Sequence, residues 1–377
     1  MKVPFNRPSL AGKELDYIQE AVSLGQLAGD GNFTIRCQNK LSAYIGANAV
    51  LLTHSCTAAL EMAAILIGVE PGDEVIMPSY TFVSTANAVA LRRGIPVFVD
   101  IRPDTLNIDE DLIESAITSR TKAIFPVHYA GVPAEMDRIV QIANRHSLYV
   151  VEDAAQALGS TYNGRKAGSL GHLAAFSFHE TKNIISGEGG ALAINDGSLL
   201  ERAEIIREKG TNRKRFFRGQ VDKYTWVDVG SSFLPGELIA AFLCAQLDEL
   251  DTIGSNRMAS WTKYDDALQG FASRGVRTPI VPPGRTHNAH LYYIILPTPE
   301  MRQKLIALLR QDGINAPFHY VPLHNSPAGT KLARTSGDLF HTQDLSERLV
   351  RLPLYPHIDS QLDYVIERVI RHLDALL

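Results

Sequence analysis

Two short segments hold the residues best suited to chemistry. In Phe176-Ser177-Phe178-His179-Glu180-Thr181-Lys182-Asn183 a lysine follows an apolar, strand-like run. In Val150-Val151-Glu152-Asp153-Ala154-Ala155-Gln156 an acid closes another such run. A primary amine condenses with an aldehyde if it is partly desolvated, and so neutral when it attacks. A carboxylate about 4 Å from a ring nitrogen stabilises the proton there by roughly 4 kcal/mol at an effective dielectric near 20. Helix-dipole effects of about 0.3–1 kcal/mol are too small for that task. Taken singly, Lys182 could be a solvated surface charge and Asp153 a helix cap. Together, each at the end of a buried strand, they match what pyridoxal 5'-phosphate (PLP) requires: an amine for a Schiff base and a carboxylate for the pyridine nitrogen.

Such a cofactor needs a cradle for its phosphate. Thr53-His54-Ser55-Cys56-Thr57-Ala58-Ala59 runs off a strand pattern, Val50–Thr53, into a helical one, Ala58–Ile67. Amides at that helix start, with the hydroxyls of Ser55 and Thr57, suit a dianion, although Ser/Thr capping alone is common. Ser177 adds a hydroxyl beside Lys182. Gly187-Glu188-Gly189-Gly190 lacks the Gly-Lys-Ser/Thr ending of a P-loop and the spacing of a dinucleotide fingerprint. Tyr80 and Phe82 follow a strand pattern, Glu74–Met77, and either could lie on a cofactor ring or in the core. Of His128, His179, His319 and His324, only His324 ranks as a site residue.

The elements that position these groups alternate. Most of the strand patterns at Val50–Thr53, Glu74–Met77, Pro96–Asp100, Ala123–His128, Leu148–Asp153, Ala174–Phe178 and Ala191–Ile194 are apolar on both sides of the pleat, as in a sheet covered on both faces. Helical patterns at Asp109–Ile117 and Ala134–His146 lie between them. This succession predicts an α/β domain with mostly parallel strands. Beyond Gly236 come one long helix or two in series, Leu238–Leu268, a strand His290–Leu296, a helix Pro299–Gln311, a strand Asn315–Tyr320 and a terminal helix striped by Leu362, Val365, Ile366, Val369, Ile370 and Leu373. With 377 residues, two domains are expected: residues 1–245, large and α/β, and residues 246–377, small and α+β.

Composition is that of an ordinary soluble protein, 45% hydrophobic and 21% charged with a net charge of -4. That charge makes no case for nucleic acid or anionic membrane as partner. Cys37, Cys56 and Cys244 lie far apart with no CxxC pair, so neither disulfides nor a metal site is indicated. The first residues hold no signal-peptide core, and no apolar run reaches the roughly 18 residues of a membrane span. A cytoplasmic location is expected.

With these residues on the page, the chain resembles the DegT/DnrJ/EryC1/StrS family of sugar-nucleotide aminotransferases. The resemblance rests on SCTAALEMA (Ser55–Ala63), PGDEVIMPSYTFVSTANA (Pro71–Ala88), PVHYAG (Pro126–Gly131), VVEDAAQA (Val150–Ala157) and FSFHETKN (Phe176–Asn183). It implies a type I aminotransferase fold, a homodimer with active sites shared between subunits, Lys182 as the lysine bonded to PLP and Asp153 as its pyridinium partner. It further implies Gln156 near the PLP 3-hydroxyl, Thr57, Ala58 and Ser177 on the phosphate, and Phe82 on the ring. Many members place an Asn before the interdomain helix, to reach the neighbouring subunit's phosphate. Here the stretch reads Gly230-Ser231-Ser232-Phe233-Leu234-Pro235, and a hydroxyl of Ser231 or Ser232 is the expected substitute. Arg207 to Ser232 resembles a segment of members that move the amino group of L-glutamate to C4 of a nucleotide-linked 4-keto-6-deoxyhexose. Arg213, in the basic and aromatic loop Lys209–Tyr224, together with Tyr320 and His324, is a candidate substrate contact. A PLP-dependent sugar dehydratase of the same fold would carry His in place of Lys182. A nicotinamide enzyme would need a glycine fingerprint that Thr53–Ala59 lacks. A PLP-binding regulator would need a DNA-binding module, which neither length nor charge provides.

Overall fold

A computed structural model describes residues 1–377. The large sheet contains strands β1 (Ala49–Thr53), β2 (Glu74–Pro78), β3 (Ile95–Val99), β4 (Thr121–Ile124), β5 (Tyr149–Asp153), β6 (Leu173–Ser177) and β7 (Gly190–Ile194). A smaller antiparallel pair is formed by β8 (Tyr292–Ile295) and β10 (Leu349–Leu352), and the two-residue β9 (Arg334–Thr335) joins the far edge of the large sheet. The order across the large sheet is β1-β7-β6-β5-β4-β2-β3-β9. All pairings are parallel except those of β7, which runs antiparallel to both its neighbours.

That one reversed strand places the site. Gly190 opens β7 and pairs with Thr53, the last residue of β1, on one side and with Ser177, the last of β6, on the other. The carboxyl ends of β1 and β6 therefore meet at one rim, and Asp153 ends β5 beside Ala175 on that rim.

Both faces of the sheet are covered, because alternate side chains enter different cores. Leu51, Met77, Val151 and Leu192 pack with Ala59, Met62 and Ala63 of the helix Cys56–Leu66. Val50, Leu52, Phe176 and Ala191 pack on the other side with Phe33, Leu41 and Leu243. The alternation also divides two adjacent acids. Glu152 turns to the amides of Gly168, Leu170 and Gly171 at 2.6–2.7 Å and to His128 at 2.8 Å, whereas Asp153 turns to the cavity.

The strand pattern Ala123–His128 shortens to Thr121–Ile124 because Pro126 has no N–H for the ladder. The long helical segment is two helices, Glu237–Asp248 and Leu250–Leu268, separated at Glu249. Thr298 caps the helix Pro299–Gln311, accepting the Met301 N–H at 3.2 Å, with Pro299 in its first turn. The stretch 315–320, expected as a strand, is irregular. Pro317 cannot donate, and the segment is held by single bonds: Asn315 N–H to the Val3 carbonyl at 3.0 Å and Arg351 N–H to the Pro317 carbonyl at 2.9 Å.

The second core gathers Trp261, Tyr264, Tyr292, Ile294, Leu305 and Val350 with Leu362, Val365, Val369 and Leu373 of the terminal helix Asp359–Leu376. Val3, from the other end of the chain, belongs to the same core. Conversely, β9 carries residues 334–335 back to the large sheet, where Arg334 grips the buried Glu74 at 3.0 and 2.6 Å.

Candidate active site

A cavity of about 610 Å³ opens at the rim between the two cores. Lys182, Asp153, Thr57, Phe82, Gln156 and Ser177 all line it. Tyr320 lines it from the irregular stretch 315–320.

Lys182 sits in a tight loop closed by three backbone bonds of 2.7–2.8 Å: Phe178 N–H to the Gly189 carbonyl, Glu180 N–H to Gly187, and Ser186 N–H to Phe178. Gly187 has a φ of +80°, a conformation that L side chains rarely adopt, which explains a glycine there. Asn183 anchors the loop to the second core through the Asn288 carbonyl at 2.6 Å and His290 Nδ1 at 2.9 Å. Burial holds the Lys182 amine below its ordinary range, and the Arg351 charge acts in the same direction against the opposing pull of Cys56 and Asp153. A lysine so placed supplies a neutral amine at lower pH than a solvated one.

Asp153 is only 5% exposed. Thr85 donates to its Oδ2 at 2.7 Å, and the Ala155 amide donates to Oδ1 at 3.2 Å. The carboxylate is thus held in one orientation without a cationic partner of its own. At the start of the helix Cys56–Leu66, Ser55 caps by accepting the Ala58 N–H at 3.0 Å. The first-turn amides of Cys56 and Thr57 have no carbonyl behind them, and both residues line the cavity. Thr57 and Ser84 share a hydroxyl hydrogen bond of 2.7 Å there. Gly190 presses against this turn: a Cβ on it would fall 2.3 Å from the Ser55 carbonyl carbon and 2.4 Å from the Cys56 nitrogen.

These features fit PLP. A helix N-terminus with spare amides and hydroxyls accepts a phosphate, a buried carboxylate meets a protonated ring nitrogen, and a desolvated amine meets an aldehyde. Phe82 lines the cavity and is 56% exposed, whereas Tyr80 is 1% exposed and belongs to the core, so the structure separates the two aromatic candidates. Gln156 accepts the Ala130 N–H at 2.7 Å and donates to the Tyr320 hydroxyl at 2.8 Å. Burial and the charge of Asp153 push the Tyr320 hydroxyl well above its ordinary pKa, so it stays protonated as a donor.

Other expected contacts fall elsewhere. Ala58 is buried, and its amide is committed to Ser55. His324 is outside the cavity lining: its Nδ1 shares a hydrogen bond with the Ser79 hydroxyl at 2.8 Å, and its amide donates to the same oxygen at 3.0 Å, tying its loop to the end of β2. Arg213 is likewise outside, bound to Glu208 at 2.9 Å. Its basic neighbours are also neutralised, Lys214 and Arg218 by Glu204 and Arg215 by Glu201. Ser232 is exposed and does not line the cavity of its own chain.

Several cavity residues escape the sequence reading or, like His179 and His319, do not rank there as site residues although they line the cavity. His290 and His319 line it, both held far below the ordinary histidine range by burial and by neighbouring positive charge. His319 stacks on Tyr320 at 3.7 Å between ring centroids, and its Nδ1 meets the Tyr129 hydroxyl at 2.7 Å. Arg351 and Phe5 complete the wall. Arg351 did leave a trace in the sequence, a lone charge inside the apolar run Leu349–Leu354.

Known proteins resemble this chain over nearly its whole length. Residues 8–370 match the DegT/DnrJ/EryC1/StrS aminotransferase family. The chain is 34% identical over 374 residues to GDP-perosamine synthase of Caulobacter vibrioides, covering 98% of this chain and 97% of that one. It superposes on S. venezuelae DesV with a TM-score of 0.90 at 33% identity, over 99% of each chain. On the PLP form of Spr1654 from Streptococcus pneumoniae the TM-score is 0.89 at 27% identity, over 100% of each. The chain therefore belongs to the DegT/DnrJ/EryC1/StrS aminotransferase family, whose members are PLP-dependent sugar aminotransferases.

Proposed function

We propose that this enzyme transfers the amino group of L-glutamate to C4 of a nucleotide-linked 4-keto-6-deoxyhexose, dTDP-4-keto-6-deoxy-D-glucose giving dTDP-4-amino-4,6-dideoxy-D-galactose, for a surface polysaccharide. The observation that carries the reading is one cavity lined by a desolvated amine, a buried oriented carboxylate and a helix start with spare first-turn amides. Bound there, PLP supplies an electrophilic carbon and a ring that withdraws electrons from the reacting atom. The chain's own groups do the rest. Asp153 holds the ring-nitrogen proton, and Thr85 keeps that carboxylate aimed. Thr57, Ser177 and the first-turn amides bind the phosphate. Lys182 is the group that moves protons: it takes the α-proton of glutamate and later gives a proton to sugar C4.

A homodimer with shared active sites is part of this reading. Ser232 is free to face a second copy, and the adjoining loop exposes Trp226 (77%), Phe217 (68%) and Tyr224 (52%) to solvent, side chains that a partner surface would cover.

The test is incubation of the purified protein with PLP, L-glutamate and a panel of dTDP-, UDP- and GDP-linked 4-keto and 3-keto sugars, with products identified by NMR. The expected product is the dTDP-linked 4-amino sugar with an axial C4 amine. Preference for another nucleotide or for C3 corrects the substrate. A dehydrated sugar without nitrogen refutes aminotransfer.

A further inference from the structure

Arg351 is a charge without a counter-ion. It lies on β10, the small-sheet strand, and lines the same cavity as Lys182. Its Nε and Nη2 donate to one carbonyl, that of Phe318, at 3.1 and 2.8 Å. A guanidinium carries five N–H donors, so most of the fork remains to be used. The Phe5 ring stacks on its face at 4.4 Å, and Asn6 next to it ties the segment to the Glu180 carbonyl at 3.0 Å, in the Lys182 loop. The fork is therefore held in plane, and its residue lines the cavity. The carboxylates that line the cavity are engaged elsewhere. Asp153 is held by Thr85 and Ala155, and Glu188 points outward beside His179. Burial disfavours the charged form of Arg351, and no protein acid offsets that cost.

Resting on the aminotransferase reading above, we propose that Arg351 is an anion subsite that receives a carboxylate of the amino-acid donor, with Phe5 as its positioning residue. The unused edge fits a planar carboxylate in bidentate fashion. The same fork could take a nucleotide diphosphate. The donor is favoured because Arg351 lines the same cavity as Lys182, where the donor nitrogen must react. In an α-amino acid one carbon separates the nitrogen from a carboxylate, whereas a whole hexose ring separates a keto carbon from its diphosphate.

The test uses PLP-loaded wild-type enzyme, Arg351→Gln and Arg351→Lys, with thermal unfolding to show that each folds. Calorimetric titration with glutarate, an unreactive dicarboxylate, is expected to show Arg351→Gln binding about tenfold or more weakly, and Arg351→Lys between the two. In single-turnover absorbance measurements on the bound cofactor, Arg351→Gln is expected to lose about a hundredfold in kcat/KM with glutamate while reacting with the amino-sugar nucleotide within about threefold of wild type. The reverse pattern assigns the fork to the diphosphate and overturns the proposal. Unchanged glutarate affinity, or equal losses in both directions, also overturns it. A wild-type enzyme that no amino acid converts refutes aminotransfer itself, and the glutarate titration then still decides whether Arg351 binds a carboxylate.

Discussion

At the scale of single residues, environment decides what Lys182 and Asp153 can do. Desolvation and Arg351 lower the Lys182 pKa from its ordinary 10.5, and a lowered pKa means the neutral amine appears at lower pH. The rate at which cofactor-free protein captures PLP should therefore rise with pH and level off below 10.5, as followed by absorbance. Lys182→Ala should abolish the borohydride-trappable link altogether. Asp153→Asn should leave the fold intact but lower turnover by two to three orders of magnitude, matching a loss of about 3–4 kcal/mol of ring-proton stabilisation. Near wild-type turnover in that variant would mean that another group holds the ring proton.

At the scale of elements, the site depends on how closely a helix start approaches a strand. Gly190→Ala would push a methyl group into the Ser55–Cys56 backbone, which cannot swing aside as a flexible side chain could. It should lower stability by about 1–3 kcal/mol and weaken PLP binding more than it weakens the second core. Denaturant unfolding and equilibrium dialysis would measure the two effects. Much of this layer was legible in the sequence. The buried strands ending at Thr53, Asp153 and Ser177 stand within a residue or so of where their apolar runs put them, because a sheet covered on both faces leaves a continuous hydrophobic signal. The stretch 315–320 misled because alternating apolar residues look like a strand, whereas Pro317 removes a donor and the chain is spent on lining a cavity. Arg213 and His324 lie outside the cavity of their own chain for a different reason. Residue type shows that a side chain can bind substrate, but only packing shows whether Glu208 or Ser79 has already claimed it.

At the scale of the whole molecule, buried neutral histidines tie stability to pH. His290 and His319 are pushed below their ordinary 6.5. Between 6.5 and their folded values, the unfolded chain binds protons that the folded chain refuses, so stability is full above about 6.5 and falls as pH drops, by up to about 1.4 kcal/mol per unit for each histidine. His290→Asn should reduce that slope by as much as one proton, as urea unfolding between pH 4.5 and 7.5 would record; an unchanged slope would mean other groups govern acid unfolding. No helix is long and apolar enough to cross a membrane. If the proposed dimer covers the loop that carries Trp226, then Trp226→Glu should shift the sedimentation coefficient toward that of a single subunit. The chain's two ends bear on how it is made. Val3 is bonded to Gly313 and Asn315, and Phe5 waits for Arg351. Residues 3–5 thus gain their partners only after residues 313–351 have been made, and until then the growing chain must stand with this strap untied and its catalytic chamber missing a wall.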